Sequence, residues 1–394
     1  FLFFYLINYE RILFNSTNLE WVFIELAKYF HNNEYIFDIE KYKQTQINTI
    51  YLSYILSYLY NFNFSDTEVL IIFRFLILSF FFILCFLFII EKKIEIDTEL
   101  KIIIIIVLLN NPLLSIYLFR LYPETLAVLI CFLSIYFLIK KKYAFSYFCY
   151  LISFLIKPFL ITLAPIVFVY LYNNESLKKL YKITLIFFLI SIISVFFIVI
   201  SPASIFFNKH YDDYFTFSIL KYSTNIFEYI VYCIILTGPI YILFFFKYNY
   251  KKIFSFSIII SLLIMVLSVF FYNSDGEMNL SFLSNLDLFI KYKNLIYSAL
   301  IFFSVFFVLI ILREKRSFEL AIIFSIILLS CMIYRPANRY LLYILPFFTG
   351  LIILRTYSKN FKKLFYFLIF LNLSLYVIIN IYQMRYQKIK YNSE

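Results

Sequence analysis

Few ionised side chains interrupt this chain, and the first cluster of them sits on a helical pattern. In Asn18 to Asn33 (NLEWVFIELAKYFHNN) apolar residues recur at Leu19, Val22, Phe23, Leu26, Ala27 and Phe30, while Glu20, Glu25, Lys28 and His31 take other positions. The spacing predicts an amphipathic helix lying on a membrane interface with its acids aimed at the membrane mouth. Carboxylates held there suit chemistry on a lipid-linked substrate, because a positioned carboxylate can take the proton of an attacking hydroxyl.

Further charged residues fall between apolar runs. The loop from 15 to 46 adds Glu34, Asp38 and Glu40, and Arg120-Leu121-Tyr122-Pro123-Glu124 places two charges four apart. A carboxylate at the centre of a membrane helix costs about 2.5–3.5 kcal/mol on insertion scales, so such a residue pairs or lines a cavity. The plain alternative for Glu124 is an i,i+4 pair with Arg120 at a helix end. Lys157-Pro158 interrupts another apolar run, and its alternative is a lysine snorkelling from a hairpin tip. Tyr334-Arg335-Pro336-Ala337-Asn338-Arg339-Tyr340 sets two arginines between apolar segments. Arginine suits phosphate because its planar fork makes bidentate bonds, although simple interface anchoring would also use it. Taken together, acids, a lysine and arginines are what a site needs to hold a lipid phosphate and deprotonate a hydroxyl. His210, Asp212 and Asp213, within the sequence Asn208 to Asp213, are a separate candidate set for a divalent cation, or simply a solvated loop.

The elements that must position these residues are written in the composition. With 64% hydrophobic residues over 394 positions and a mean hydropathy of +0.89, the chain is expected to be an all-α, polytopic membrane protein. Apolar runs of spanning length give about 10–12 membrane segments in one transmembrane domain over 1–394. Outer loops are expected at 15–46, 201–222 and 273–293. The run from Phe1 to Phe14 is too short to cross a core of about 30 Å, so the chain is expected to begin inside its first membrane helix. Five cysteines sit in apolar segments without C-x-x-C spacing and are expected to be small buried hydrophobes rather than a disulfide framework or metal site.

Charge fixes the expected orientation. Short basic loops (Lys92, Lys93, Lys101; Lys140 to Lys142; Lys178, Lys179, Lys182; Lys247, Lys251, Lys252; Arg313, Lys315, Arg316; Arg355, Lys359, Lys362, Lys363) hold 19 of the 35 basic residues. With seven of the 23 acids in the same loops, their surplus of twelve equals the whole net charge of +12, and by the positive-inside rule they are expected to face the cytoplasm. The basic character therefore reports topology and implies no nucleic-acid partner. Segments 144–156 and 158–172 are expected to form a hairpin with Lys157 and Pro158 at its outer tip. Helices are expected near 183–200, 224–246, 253–272, 294–312, 318–334, 341–355 and 364–382. Toward the front, a helix is expected near 68–90, and Ile47 to Phe62 is expected to be an interfacial helix or half-hairpin.

In order along the chain, these features resemble the GT-C superfamily of membrane glycosyltransferases, especially the bacterial branch related to protein mannosyltransferases and aminoarabinose transferases. That family carries a D-E-x-x-Y-x-x-x-A-x-x-L-x-x-G motif after its first helix. Here the register is Leu19-Glu20-x-x-Phe23-x-x-x-Ala27-x-x-Phe30-x-x-Asn33, so Glu20 matches the second acid and Leu19 stands where the family has Asp. Arg74 lies near the start of a long helix as an arginine does in the family. Tyr122-Pro123-Glu124 is similar to its second outer acidic site, Lys157-Pro158 to its K-P turn, and Arg339-Tyr340 with Pro346 to a late R-Y…P segment.

The resemblance implies an enzyme of the outer face, expected in a bacterial inner membrane, that moves a hexosyl or pentosyl group from a polyprenyl-phosphate donor to an acceptor hydroxyl. It implies Glu20 as base, Glu124 as second acid, Lys157 and Arg339 as phosphate holders with Arg335 as alternate, and Tyr122 beside them. Membrane lipids are implied partners, and the acceptor is left open among lipid, glycan and protein. A lipid-sugar transporter is the rival of another class, but it predicts repeats and broken mid-membrane helices. An O-antigen-type polymerase would lean on outer-loop arginines, and a non-catalytic subunit is compatible with Leu19.

Overall fold

The computed structural model describes residues 18–32, 51–118, 122–200, 219–247, 251–271, 287–314, 316–332, 338–358 and 361–391. In chain order the helices are α1 (Asn18–His31), α2 (Tyr51–Tyr60), α3 (Asp66–Ile90), α4 (Thr98–Asn110), α5 (Pro112–Leu118), α6 (Pro123–Ile139), α7 (Tyr143–Ile156), α8 (Ala164–Asn174) and α9 (Leu177–Ile200). They continue with α10 (Ile219–Thr237), α11 (Ile240–Lys247), α12 (Lys251–Phe271), α13 (Asp287–Glu314), α14 (Ser317–Met332), α15 (Leu345–Thr356) and α16 (Lys362–Tyr391). Two 3₁₀ turns, Pro158–Leu163 and Asn338–Tyr343, interrupt this order, and no strand occurs among the described residues. The chain is all-α. It forms two compact units: Phe1–Ile96 with Ser115–Ile161 and Leu171–Thr216, and Asp97–Leu114 with Thr162–Tyr170 and Phe217–Glu394.

In the first unit, α3 starts where Ser65 and Glu68 form a capping box: Glu68 N–H donates to Ser65 Oγ, and Ser65 N–H donates to Glu68 Oε2 at 2.7 Å. Among the described residues, α3 is the one helix long and apolar enough to cross a membrane by length and composition. Its 25 residues span about 37 Å. The helix α6 begins at Pro123, whose fixed φ and missing N–H suit a first turn. It ends in a Schellman turn, with Lys141 at φ +60 and the N–H groups of Lys141 and Lys142 donating to Leu138 O and Phe137 O.

That turn sends α7 back antiparallel along α6, and small residues set the register. The Ser134 hydroxyl donates to Ser146 O at 2.7 Å, and the Ser146 hydroxyl donates to Ser134 O at 2.9 Å. Seven residues earlier on α6 and seven later on α7, Ser153 Oγ donates to Ala127 O at 2.7 Å. Short side chains at these crossings let the two backbones approach closely. The close partner of α7 is thus α6, whereas the expected partner was the segment after Pro158.

The pattern on α1 proves to be a packing pattern. Phe23, Ile24, Leu26 and Ala27 are buried, with Leu52 and Leu56 of α2 buried on the element that packs against them. The periodicity required a cover for that face, and α2 supplies it. A polar seam closes the pair: Lys28 Nζ lies 2.5 Å from Asp66 Oδ2, Tyr60 Oη donates to Asp66 Oδ1 at 3.0 Å, and His31 Nδ1 is 3.1 Å from Asn61 Oδ1.

The second unit packs α10 against α13 and α14, with Val231, Ile301 and Val305 in its core. The helix expected over 224–246 is broken. Gly238 turns left-handed at φ +57 and is followed by Pro239, so α10 ends at Thr237 and α11 starts afresh at Ile240. A side chain at Gly238 would overlap Oδ1 of the buried Asn372. A second break, at Asn111 before Pro112, is tied to the first, because Asn111 Nδ2 donates to Leu236 O at 3.0 Å while its Oδ1 accepts from Leu113 N–H. The expected helix over 341–355 is split into the Asn338–Tyr343 turn and α15, which carries Pro346 in its first turn.

Candidate functional site

The antiparallel register of α6 and α7 dictates one further meeting. Three residues before Ala127 stands Glu124, and four after Ser153 stands Lys157. Lys157 Nζ lies 3.2 Å from Glu124 Oε1. Both are buried, at 1% and 4% exposure. Glu124 occupies the first turn of α6, where the helix dipole favours a carboxylate, and Lys157 is the C-cap of α7, where it favours a cation. Lys157 ends α7 because a residue before proline is pushed out of helical geometry, here to φ −154 and ψ 114. The sequence Lys-Pro thus both stops the helix and aims an ammonium group along its end.

Around the pair, Tyr122 is buried and packs edge-on against Tyr117 with ring centroids 5.3 Å apart, and Thr125 Oγ1 donates to Tyr117 O at 3.0 Å. Arg74 is buried on α3, which packs on α6. Two ions taken from water recover their solvation only with good geometry and further hydrogen bonds, so the pair is a costly thing for a hairpin to keep. An ammonium beside a carboxylate can exchange its partner for a phosphate, leaving the carboxylate to accept hydrogen bonds from a bound hydroxyl.

At the opposite end of the hairpin lies a second ionic network. Glu91, just past α3, is 2.7 Å from Lys140 Nζ, and Lys93 Nζ donates to Ile139 O at 2.9 Å. Glu175, between α8 and α9, is 3.0 Å from Lys141 Nζ and accepts from Tyr143 Oη at 3.0 Å. Burial disfavours ionisation of Glu91, but hydrogen bonds from Lys140 and the Lys93 N–H, with both lysine charges, outweigh it and hold the carboxyl below its ordinary value. Glu175 follows the same logic: burial is outweighed by Lys141, Tyr143 and Lys179. These contacts fasten the basic loops of the first unit to one another.

The remaining candidates are placed as follows. Glu20 is on α1, in helical register with Phe23, Ile24 and Ala27 of its buried face, and its side chain is outside the described residues. Glu25 is exposed. Arg339 belongs to the Asn338–Tyr343 turn of the second unit, and its side chain is likewise outside the described residues. Arg120, Arg335, His210, Asp212 and Asp213, with Glu34, Asp38 and Glu40, lie outside them entirely. Among the described residues no group of His, Cys, Asp or Glu is arranged to hold a metal. Among the described residues, Glu124 and Lys157 are candidates in direct contact. Sequence reasoning missed the serines that align them, although Ser134, Ser146 and Ser153 are visible as polar residues within apolar runs. Comparison with known proteins returned no matching family model, curated protein or solved structure.

Proposed function

We propose that the chain is a multi-pass membrane protein that transfers a sugar from a polyprenyl-phosphate donor to an acceptor hydroxyl at the membrane face away from its basic loops. Support for the membrane setting comes from helices that are inside out. On α9, Leu185, Phe188, Leu189, Ile192 and Ile193 form an exposed apolar stripe, while Ser191 and Ser194 are buried. On α12, Phe256, Ile259, Leu262 and Leu263 are exposed and Ser257 and Ser261 are buried, and α16 exposes Phe367, Phe370 and Ile378 while burying Asn372. Water selects the reverse pattern, and contiguous exposed apolar faces of this kind need lipid or another apolar cover.

The observation that carries the reaction is the buried Glu124–Lys157 pair. It joins Tyr122-Pro123-Glu124 to Lys157-Pro158, two segments that resemble parts of the glycosyltransferase site. It also stands at the far end of the 17-residue α6 from the Lys140 to Lys142 turn, about 25 Å away and so near the opposite membrane face. In the proposed step the acceptor oxygen bonds to the sugar anomeric carbon as the bond from that carbon to the phosphate oxygen breaks. The polyprenyl phosphate leaves with the electron pair, held by Lys157. Glu20 accepts the hydroxyl proton, Glu124 orders the reacting groups beside Tyr122, and configuration inverts.

A second reading has its own support: the pair continues the Ser134–Ser146 and Ala127–Ser153 register, as a lock holding the hairpin would. Turnover separates the two. Wild-type protein in proteoliposomes supplied with an acceptor alcohol is expected to release polyprenyl phosphate from a polyprenyl-phosphate hexose or pentose. Glu20→Gln is expected to lower that rate about 10²–10⁴-fold with folding intact. Full turnover by this variant removes Glu20 as the base.

A further inference from the structure

We propose that Lys247, Arg316 and Arg355 of the second unit bind the phosphate headgroup of an anionic phospholipid. The proposal rests on the membrane reading above and is independent of sugar transfer. Three elements deliver the cations: the end of α11, the turn between α13 and α14, and the end of α15. Lys247 Nζ donates to Arg355 O at 2.6 Å, the Arg355 guanidinium rests on Glu319, and Arg316 Nη2 is 3.4 Å from Glu314 Oε2. Arg316 stands at the start of α14, where its carbonyl accepts from Leu320 N–H at 3.0 Å, one turn before the Glu319 that holds Arg355.

Lys247, Arg316 and Arg355 are thus set beside the carboxylates of Glu314 and Glu319, and Glu319 is buried toward Arg355. Lys247 and Arg316 remain exposed. A phosphate can accept charge-assisted hydrogen bonds from an ammonium and a guanidinium together, which suits it to cations gathered from neighbouring helix ends. Exposed apolar side chains accompany the cations in sequence: Leu354 precedes Arg355, Phe318 follows Arg316 by two, and Ile242 is on the helix that ends at Lys247. An ionic head joined to acyl chains satisfies both features, whereas a free anion would use only the first. The basic loops are also those the positive-inside rule sets against the anionic cytoplasmic leaflet.

The test is native mass spectrometry of the full chain in detergent with equal phosphatidylglycerol and phosphatidylcholine. Phosphatidylglycerol is expected to be retained in preference, with the preference falling roughly fivefold for each cation removed in Lys247→Gln and Arg316→Gln. Equal retention of the two lipids by the wild-type chain overturns the proposal without any variant. So does an undiminished preference in the double variant, or in Arg316→Gln alone should the double variant not remain monodisperse. Displacement of the lipid by an equal concentration of inorganic phosphate would assign the cations to a free anion and overturn the lipid site. A chain that stays monodisperse without detergent would overturn the membrane reading itself, a result distinct from loss of lipid preference.

Discussion

Lys157 and Glu124 set the demands of the fold against those of chemistry in one contact. Removing the cation alone leaves a buried carboxylate without this partner, so Lys157→Met is expected to destabilise the protein by about 3–5 kcal/mol. Replacing both members, as Lys157→Met with Glu124→Leu, is expected to restore most of that stability while abolishing turnover. Denaturant unfolding in detergent reads the first effect, and release of polyprenyl phosphate with an acceptor alcohol present reads the second. A double variant that is stable and fully active would assign the pair to hairpin locking alone. At the other end of the hairpin, Glu91 and Glu175 have lowered pKa values. Their contribution is complete above the ordinary carboxyl value of 4.5 and is lost as pH falls from there through the lowered folded values. Thermal unfolding followed from pH 7 downward is expected to show stability falling below about pH 4.5, with Glu91→Gln flattening that slope.

The helices themselves were largely legible as apolar runs between lysines, and their breaks were not. The run from 224 to 246 reads as continuous because Gly238 and Pro239 are two residues in an otherwise apolar stretch, and what fixes the break is Asn372, distant in sequence, lying against Gly238. Gly238→Ala must place a side chain at φ +57, at about 1–2 kcal/mol, and also displace the Asn372 amide. Pairing it with Asn372→Ala is expected to recover only the steric part, read as a partial rise in melting temperature. Equal stability of Gly238→Ala and wild type would contradict the packing described. For α1, periodicity locates an apolar face but carries no information on its cover, and the packing of α2 on it is visible only in the structure. The acid and lysine of the candidate site were conspicuous as charges in apolar surroundings. Their contact was not, since it depends on an antiparallel register set by Ser134, Ser146 and Ser153.

Among the described residues, α9, α12 and α16 expose phenylalanines, leucines and isoleucines and bury serines and an asparagine, the pattern on which the proposed membrane setting rests. The proposal assigns the reaction a side: donor and acceptor would meet the Glu124 end of the α6–α7 hairpin, with the Lys140 to Lys142 turn toward the other compartment. The most direct test is release of polyprenyl phosphate in sealed proteoliposomes sorted by orientation, with donor supplied from one side. Turnover is expected only with donor on the side opposite the basic turns, and Glu124→Gln, shown to be folded, is expected to lose about 100-fold or more. A folded wild-type chain that turns over no polyprenyl-phosphate sugar, or a Glu124→Gln variant at full rate, would contradict it.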